Sequence, residues 1–320
     1  MEIILSHRSA LEYWRFYGSM KSAIAEDRRK HLPTSHPNLA QIRSAVPSEL
    51  LYPINLLINS QTTIRNTKTI QSRLFTGQTQ KGCFISIGDG LAVSSPAFCF
   101  FQMANDLPLV ELIQLGYELC GTYSLRDTEE YSPGEEATDK TLYGRPQLTD
   151  IKEIKALTAR LKGVNGQKKA DRALRYITDG SASPMETIIT MLLTLSYQLG
   201  GYGLPMPELN KAIYIGHAGK RKTGKPDFKC DLFWSEANLA IEYDSDFYHT
   251  GADRIASDAN RRFSLIEHGI TPISITSRQV RNRGEFEKRA RLVARKLGKR
   301  LRYNEKTFLK ANHDLRESLL

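Results

Sequence analysis

The chain has 320 residues, of which 40% are hydrophobic and 25% are charged. This length allows two ordinary domains with separate cores, and the composition excludes general disorder and a fibrous structure. The formal net charge of +10 favours a polyanionic partner, because lysine and arginine side chains that neutralise phosphates release counterions. A solvated cationic surface would give the same net charge, so charge alone does not identify the partner.

The cysteines and the apolar runs bear on the cellular compartment. Cys83, Cys99, Cys120 and Cys230 are scattered and form no CxxC pair. They predict neither a zinc site nor a disulfide framework, and they favour a reducing cytoplasm. No apolar run approaches the roughly 18 residues of a membrane span, and residues 1–9 lack the pattern of a secretory signal. We therefore expect a cytoplasmic protein that does not associate with membranes.

The N-terminal part, residues 1–126, mixes predicted helices and strands. The patterns predict a helix capped by Ser6 or Ser9, strands at 54–58 and 83–87, and helices after Pro96 and over Leu109–Leu119. We expect a smaller mixed α+β domain that recognises a substrate or a partner.

An acidic stretch follows this domain. Residues 127–139 contain six acidic and no basic side chains, a composition that buries little apolar surface and is typical of a solvated loop. We interpret 127–149 as a linker, so that the second domain covers 150–320.

The second domain is predicted to be α/β, with a mixed sheet flanked by helices. Ser183 and Glu186 are spaced as a helix N-cap and its third residue, with Pro184 at the first helical position. Two strands, 227–234 and 239–244, come next, followed by a helix at 256–268, a strand at 272–276 and a basic helix at 285–297.

Counting along the two strands brings four ionisable groups together. If Trp234 pairs with Leu239, Asp231 lies opposite Glu242 and Lys229 lies opposite Asp244, all on one face. Two carboxylates about 5 Å apart repel by roughly 3 kcal/mol at an effective dielectric constant near 20. Mg²⁺ (or Mn²⁺) held by Asp231 and Glu242 would offset that repulsion and would bind substrate phosphate oxygens.

The same residues carry a family resemblance. Pro226 to Asp231, Leu239 to Asp244, and the later positions His249, Asp258, Arg261 or Arg262, Leu265, Gly269 and Ile273 to Thr276 stand in order. This pattern resembles the restriction-endonuclease-like (PD-(D/E)xK) superfamily, and within it the very-short-patch-repair nucleases and related domains of bacterial defence and mobile-element proteins. The resemblance covers about 120 residues and includes the helix that begins at Ser183.

The resemblance implies a metal held by Asp231 and Glu242, with Glu186 reaching in from the first helix. Members of the superfamily usually carry lysine two residues after the second acid, where this chain has Asp244. Lys229, His249 or Arg262 is then a candidate for the missing positive charge. More loosely, Gly90 to Pro96 and the helix after it resemble proteins related to abortive-infection antitoxins, which implies a recognition role for the N-terminal part.

Structural interpretations compete at several of these positions. Asp231 and Glu242 would also suit a pair of solvated surface acids on an edge hairpin. Glu186 occupies a capping position, Asp244 stands at a turn, and His249 is an isolated loop histidine. Asp258 is spaced from Arg261 and Arg262 as in an ordinary helical ion pair.

Residues 278–302 contain eleven Lys or Arg and two Glu. Two acids are too few to stabilise such a helix through internal ion pairs, so we expect its cations to bind phosphates. Arg278, Arg281 and Arg283, together with Arg261 and Arg262, are the expected nucleic-acid contacts.

Two hypotheses follow. The first is a metal-dependent endonuclease that hydrolyses phosphodiester bonds of DNA, in phage defence or DNA repair. The second is a non-catalytic DNA-binding or antitoxin-like regulator with a degenerate nuclease fold. An enzyme with one metal site per chain must dimerise or nick twice to break a duplex, so a homodimer is a candidate assembly under the first hypothesis.

Overall fold

The computed structural model divides into two compact units, Met1–Ile177 and Thr178–Leu320. It describes residues 3–18, 25–27, 32–34, 37–88, 90–125, 141–214, 228–244 and 252–320, with the backbone alone for 25–27 and 252–258. Each unit combines helices with a mixed sheet, which confirms the predicted α+β class. Among the described residues, no helix has both the length and the apolar character needed to cross a bilayer.

Unit 1 is built on a six-stranded sheet and a two-stranded hairpin. Its strands are β1 (Ile3–Leu5), β2 (Ala25–Asp27), β3 (Ile54–Ile58), β4 (Ile70–Leu74), β5 (Phe84–Gly88), β6 (Leu91–Ser94), β7 (Tyr123–Leu125) and β8 (Thr141–Tyr143). Its helices are α1 (His7–Tyr17), α2 (Leu39–Ala45), α3 (Pro96–Asp106), α4 (Leu109–Leu119), α5 (Ile151–Arg160) and α6 (Gln167–Ala173). The large sheet has the order β2-β5-β6-β1-β3-β4, and β7 pairs with β8.

Helix α3 forms the centre of unit 1. Ser95 caps it by accepting a hydrogen bond from the backbone N–H of Phe98, and Pro96 stands where a missing N–H costs nothing. The helix is buried from Pro96 to Ala104, and Phe98 packs edge to face on Phe75 and Phe84. A helix that is buried on all sides belongs to a core.

The boundary between the units lies later in the chain than the sequence predicted. Helices α5 and α6 pack on α3, and α6 also packs on α4, so they belong to unit 1. Within the predicted linker, β8 is a paired strand, whereas 126–140 lies outside the described residues. Unit 1 is consequently the larger of the two units.

Unit 2 contains a four-stranded sheet in the order β12-β11-β10-β9. Its strands are β9 (Glu208–Ile213), β10 (Phe228–Trp234), β11 (Leu239–Asp244) and β12 (Thr271–Thr276), and its helices are α7 (Pro184–Thr194), α8 (Ala252–Glu267), α9 (Ser277–Arg281), α10 (Arg283–Lys296) and α11 (Glu305–Leu319). Strand β10 is antiparallel to both neighbours, and β11 is parallel to β12.

Both faces of this sheet are covered. Ala240 packs with Phe233 and with Leu265 of α8 in one apolar cluster. Ile241 follows Ala240 in the strand and therefore points to the opposite face, yet it is also fully buried. Strand β11 thus runs through the interior of unit 2, and the polar residues at its C-terminal end are the exceptions that need an explanation.

Candidate active site

The hairpin of β10 and β11 positions the two predicted metal ligands. Trp234 pairs with Leu239 and Leu232 pairs with Ile241, which confirms the predicted register. The backbone pairing of the two strands ends at Leu232 and Ile241. At the preceding residue of β10, Asp231, the side-chain carboxylate bonds strand β11 in place of the backbone. Its Oδ2 accepts a hydrogen bond of 2.8 Å from the backbone N–H of Tyr243. A side chain thus fixes the two strands at the point where their backbone pairing stops.

The predicted pairing of Asp231 with Glu242 and of Lys229 with Asp244 lies beyond that ladder. Lys229 instead pairs with Ala212 of β9, on the other side of β10. Glu242 follows Ile241 and precedes Tyr243, which Asp231 contacts, so the two acidic residues stay close in the fold.

Arg261 of α8 holds Glu242 against strand β10. Its Nη2 lies 2.6 Å from Glu242 Oε2 and 2.8 Å from the carbonyl oxygen of Lys229. The Glu242 side chain is 16% exposed and the Arg261 side chain 43%. The second oxygen of Glu242, Oε1, is buried and accepts no hydrogen bond from a nitrogen or oxygen donor of the described residues, and the Cys230 thiol is the one other polar group that acts on this carboxylate as a hydrogen-bond donor. Arg261 therefore neutralises one side of Glu242 and leaves the other oxygen without a nitrogen or oxygen donor from the described residues.

The cations near this site do not fully compensate the negative charge of its acidic residues. Burial and the nearby charge of Asp231 raise the pKa of Glu242 to about 7, because together they outweigh the lowering effect of Arg261. Burial also raises the pKa of Asp231, against the effects of Tyr243, Arg261 and Lys229. Asp244 raises both pKa values. Asp231 is therefore affected by both Lys229 and Asp244, and Glu242 is affected by Asp231 and Asp244.

The raised pKa predicts that metal-free protein loses stability as the pH rises. The folded state keeps the Glu242 proton up to about pH 7, whereas the unfolded chain releases it near its ordinary value of 4.5, so unfolding becomes easier across that window. Relative to wild type, Glu242→Gln should gain about 2–3 kcal/mol of unfolding free energy between pH 4.5 and pH 8. Urea denaturation in EDTA measures this, with the exposed turn variant Glu236→Gln as control. Parallel pH profiles for wild type and Glu242→Gln would contradict the prediction.

Asp231 and Glu242 suit a divalent cation. Carboxylate oxygens are the ligands that Mg²⁺ prefers, and the buried Glu242 Oε1 beside a second acid is a site where a cation would lower the electrostatic cost. Within the described residues, no set of three His, Cys, Asp or Glu side chains is arranged to hold an ion. The protein would accordingly supply two carboxylates, and water and phosphate oxygens the remaining ligands.

Glu186 is engaged in the capping structure at the start of α7. Its Oε1 accepts from the Ser183 hydroxyl at 3.0 Å, and its Oε2 accepts from the backbone N–H of Ala182 at 2.9 Å. Asn210 of β9 donates to the same Oε2 through its side-chain amide. Burial raises the pKa of Glu186, and the charge of Asp231 adds to that rise, so the two carboxylates are close. Glu186 therefore lies next to the metal-ligand candidates while bonded to other groups.

Asn210 bonds Glu186 beside the site and was not predicted from the sequence. It lies on β9 in the left-handed region, with φ of 50°, between the pairs Cys230–Lys211 and Leu232–Leu209 and thus across from Asp231. Asparagine adopts that conformation more readily than most residues. A lone asparagine in a strand that was not predicted gave no signal in the sequence.

Removing the Glu186 carboxylate should lower stability more than it lowers metal affinity. Glu186→Ala leaves the Ala182 N–H without its acceptor in a partly buried site, which should cost about 2 kcal/mol of unfolding free energy. Mg²⁺ affinity should change by less than about threefold, because the carboxylate has no free oxygen to offer. Urea denaturation and calorimetric titration measure the two effects, with the exposed Glu208→Ala as control. A large loss of Mg²⁺ affinity would make Glu186 a ligand.

The remaining predicted residues fall into three groups. Arg262 lines a cleft of about 360 Å³ together with Arg261, Glu242, Asp244 and Ser274. Arg278 and Arg281 lie on α9 and Arg283 begins α10, directly after strand β12, and all three are exposed. His249 and the side chain of Asp258 lie outside the described residues.

The comparisons with known proteins identify relatives without assigning an activity. No protein-family model and no solved structure matches the chain. Two uncharacterized proteins of Mycobacterium tuberculosis, one from strain CDC 1551/Oshkosh and one from strain H37Rv, are each 30% identical to it over 129 residues. The match covers 40% of this chain and 43% of each relative, so the chain spans less than half of the relatives' length.

Proposed function

We propose that unit 2 is a metal-dependent deoxyribonuclease that hydrolyses phosphodiester bonds with Mg²⁺ (or Mn²⁺) held by Asp231 and Glu242. The observation that carries this proposal is the buried Oε1 of Glu242, which has no nitrogen or oxygen donor among the described residues, beside a second carboxylate whose pKa is also raised. Strand pairing alone gives no reason to place Asp231 of β10 near Glu242 of β11 in a largely buried site, whereas a cation held between them does. When bound, the metal would activate water and neutralise charge on the scissile phosphate.

The residues of the chain would divide the remaining work. Asp231 is oriented by the N–H of Tyr243, and Glu242 is oriented by Arg261. Asp244 stands where nucleases of the superfamily that the sequence resembles carry a lysine, so the positive charge must come from another residue. Arg261 supplies it, because its guanidinium reaches Glu242 from α8. Arg262 lines the same cleft and is placed to contact a phosphate of the substrate backbone.

The basic helix α10 supports a nucleic-acid substrate. It buries Phe286, Ala290, Val293 and Ala294 on one side. Its two glutamates are each paired with one cation, in the pairs Glu285–Lys288 and Glu287–Arg291. Three other exposed cations of the helix (Arg283, Arg295 and Lys296) and two that follow it (Lys299 and Arg300) form no salt bridge within the described residues. Such a surface attracts phosphates and makes binding sensitive to salt.

The test is cleavage of supercoiled and linear DNA by the whole protein in Mg²⁺, Mn²⁺ or EDTA, combined with calorimetric titration of Mg²⁺. Nicking that requires metal, together with one Mg²⁺ bound per chain, supports the proposal. Nicks that accumulate before linear product indicate single-strand cleavage by one chain, whereas direct linearisation indicates a homodimer. Wild-type protein that binds no Mg²⁺ and cleaves under no metal condition would overturn it.

A second candidate is a DNA-binding regulator that retained the fold without the chemistry. The observation in its favour is the ion pair between Arg261 and Glu242, which already places a cation at the proposed metal site. It predicts DNA binding that EDTA does not change and no metal-dependent nicking. On either candidate the partner is DNA, and we propose the cytoplasm as the compartment.

A further inference from the structure

Unit 1 contains a cavity of about 520 Å³ that the proposed nuclease chemistry does not use. Its walls come from the segment after strand β4, from α3, from the connection between α5 and α6, and from the first residue of α1. Cavities that bind small molecules commonly have volumes between about 300 and 1,000 Å³. The size therefore suits a ligand of nucleotide dimensions.

The charged residues that line the cavity are all cationic. Arg160 and Lys162 line it, and no Asp or Glu of the described part of the chain does. Neither cation takes part in a salt bridge within the described residues, although Arg73 in the same unit pairs with Asp106. Cations gathered around a concave surface without carboxylates favour an anionic occupant.

A buried amide in the wall lacks an acceptor. Gln102 is 2% exposed, and its Oε1 accepts a hydrogen bond of 3.2 Å from the backbone N–H of His7. That contact fixes the orientation of the amide, because only the oxygen can accept. Its Nε2 then has no hydrogen-bond partner among the described residues. A donor buried without a partner is costly, and an oxygen atom of a ligand would remove the cost.

His7 adds a second unusual feature to the same wall. Its φ of 47° is rare for a residue with a side chain, and such strain concentrates at ligand sites. Its Nδ1 lies 3.2 Å from the Ser6 hydroxyl. Burial, assisted by the charge of Arg73, lowers the pKa of His7 to about 3, so the imidazole is neutral near pH 7 and contributes hydrogen bonding without charge.

We propose that this cavity binds a phosphate monoester of nucleotide size. Arg160 and Lys162 pair with the phosphate, and Gln102 Nε2 donates to a ligand oxygen. Phe75 and Val164 provide apolar wall beside these groups for a nucleobase. The phosphate could belong to a free nucleotide or to the 5′-phosphorylated end of a strand, and both sources share this chemistry. The site lies entirely in unit 1, so the proposal does not depend on the proposed nuclease activity of unit 2.

The experiment is calorimetric titration of the full chain, in EDTA, with AMP, GMP, CMP and UMP, with adenosine, and with a 5′-phosphorylated dinucleotide. We expect at least one nucleotide to bind, and adenosine to bind about tenfold or more weakly than AMP because it lacks the phosphate. Tighter binding of the dinucleotide assigns the site to a strand end, and tighter binding of the mononucleotide assigns it to a free nucleotide.

Two exposed variants locate the binding. Arg160→Gln and Lys162→Gln should each weaken nucleotide binding about tenfold. Lys155→Gln is the matched control, because it removes the same charge from an exposed position of α5 outside the cavity wall, and it should leave affinity unchanged. No binding of any nucleotide at millimolar concentration, binding of AMP that adenosine equals, or a loss in Lys155→Gln equal to that in the two cavity variants would overturn the proposal.

Discussion

Asp231→Asn and Glu242→Gln should each reduce metal-dependent DNA cleavage about a thousandfold or more. Either change removes a negative charge and an anionic oxygen from the pair that, among the described residues, would hold the ion. A plasmid-nicking time course in Mg²⁺ measures the rate, and calorimetric titration measures the parallel loss of Mg²⁺ binding. Circular dichroism checks that both variants remain folded.

Glu236→Gln is the matched control for this pair. Glu236 lies in the turn of the same hairpin and is exposed, so the variant changes an acid to an amide without reaching the site. Its cleavage rate should equal that of wild type. Full activity in Glu242→Gln would show that Glu242 is no metal ligand and that cleavage arises elsewhere.

Arg261→Ala should lower the cleavage rate about a hundredfold, the usual loss when a charge-stabilising donor is removed from an active site. Arg261 is the cation that contacts both Glu242 and the backbone of β10. DNA binding should fall by less than about threefold, because the charge of Arg261 is already paired with Glu242 and adds little to the attraction of the DNA phosphates. Gel-shift titration in EDTA and plasmid nicking in Mg²⁺ separate the two effects.

Arg262→Ala provides the comparison, since Arg262 lines the same cleft without contacting Glu242. We expect the opposite division, a measurable loss of DNA affinity and salt dependence with a cleavage rate at saturation close to wild type. Equal losses of cleavage rate in both variants would mean that Arg261, like Arg262, acts only by contacting the DNA backbone. A gain of cleavage in Arg261→Ala would mean instead that its guanidinium competes with the metal.

Local signals predicted the elements that carry the site. The cap formed by Ser183 is confirmed, because a serine hydroxyl at that spacing satisfies an otherwise free N–H of the helix. The pairing of Trp234 with Leu239 is also confirmed, since the length of the turn fixes the register. These are short-range effects, and residues close in sequence determine them.

Features that depend on long-range packing were not predictable in the same way. Helices α5 and α6 have an apolar face that would suit either unit, and only their packing on α3 assigns them. Strand β9 carries polar residues and the left-handed Asn210, so its sequence lacks a clear alternation. Whether Arg261 or Arg262 reaches Glu242 depends on the rotation of α8 about its axis, and spacing alone allows both.

The hydrogen bond from the Tyr243 N–H to Asp231 Oδ2 makes one amide proton a reporter of the site. An N–H that donates to a carboxylate resonates further downfield than one that donates to the neutral acid, so the nitrogen-15 spectrum should record the protonation of Asp231 directly. That resonance would report the protonation of Asp231 in the wild-type protein, without a substrate or a cleavage assay.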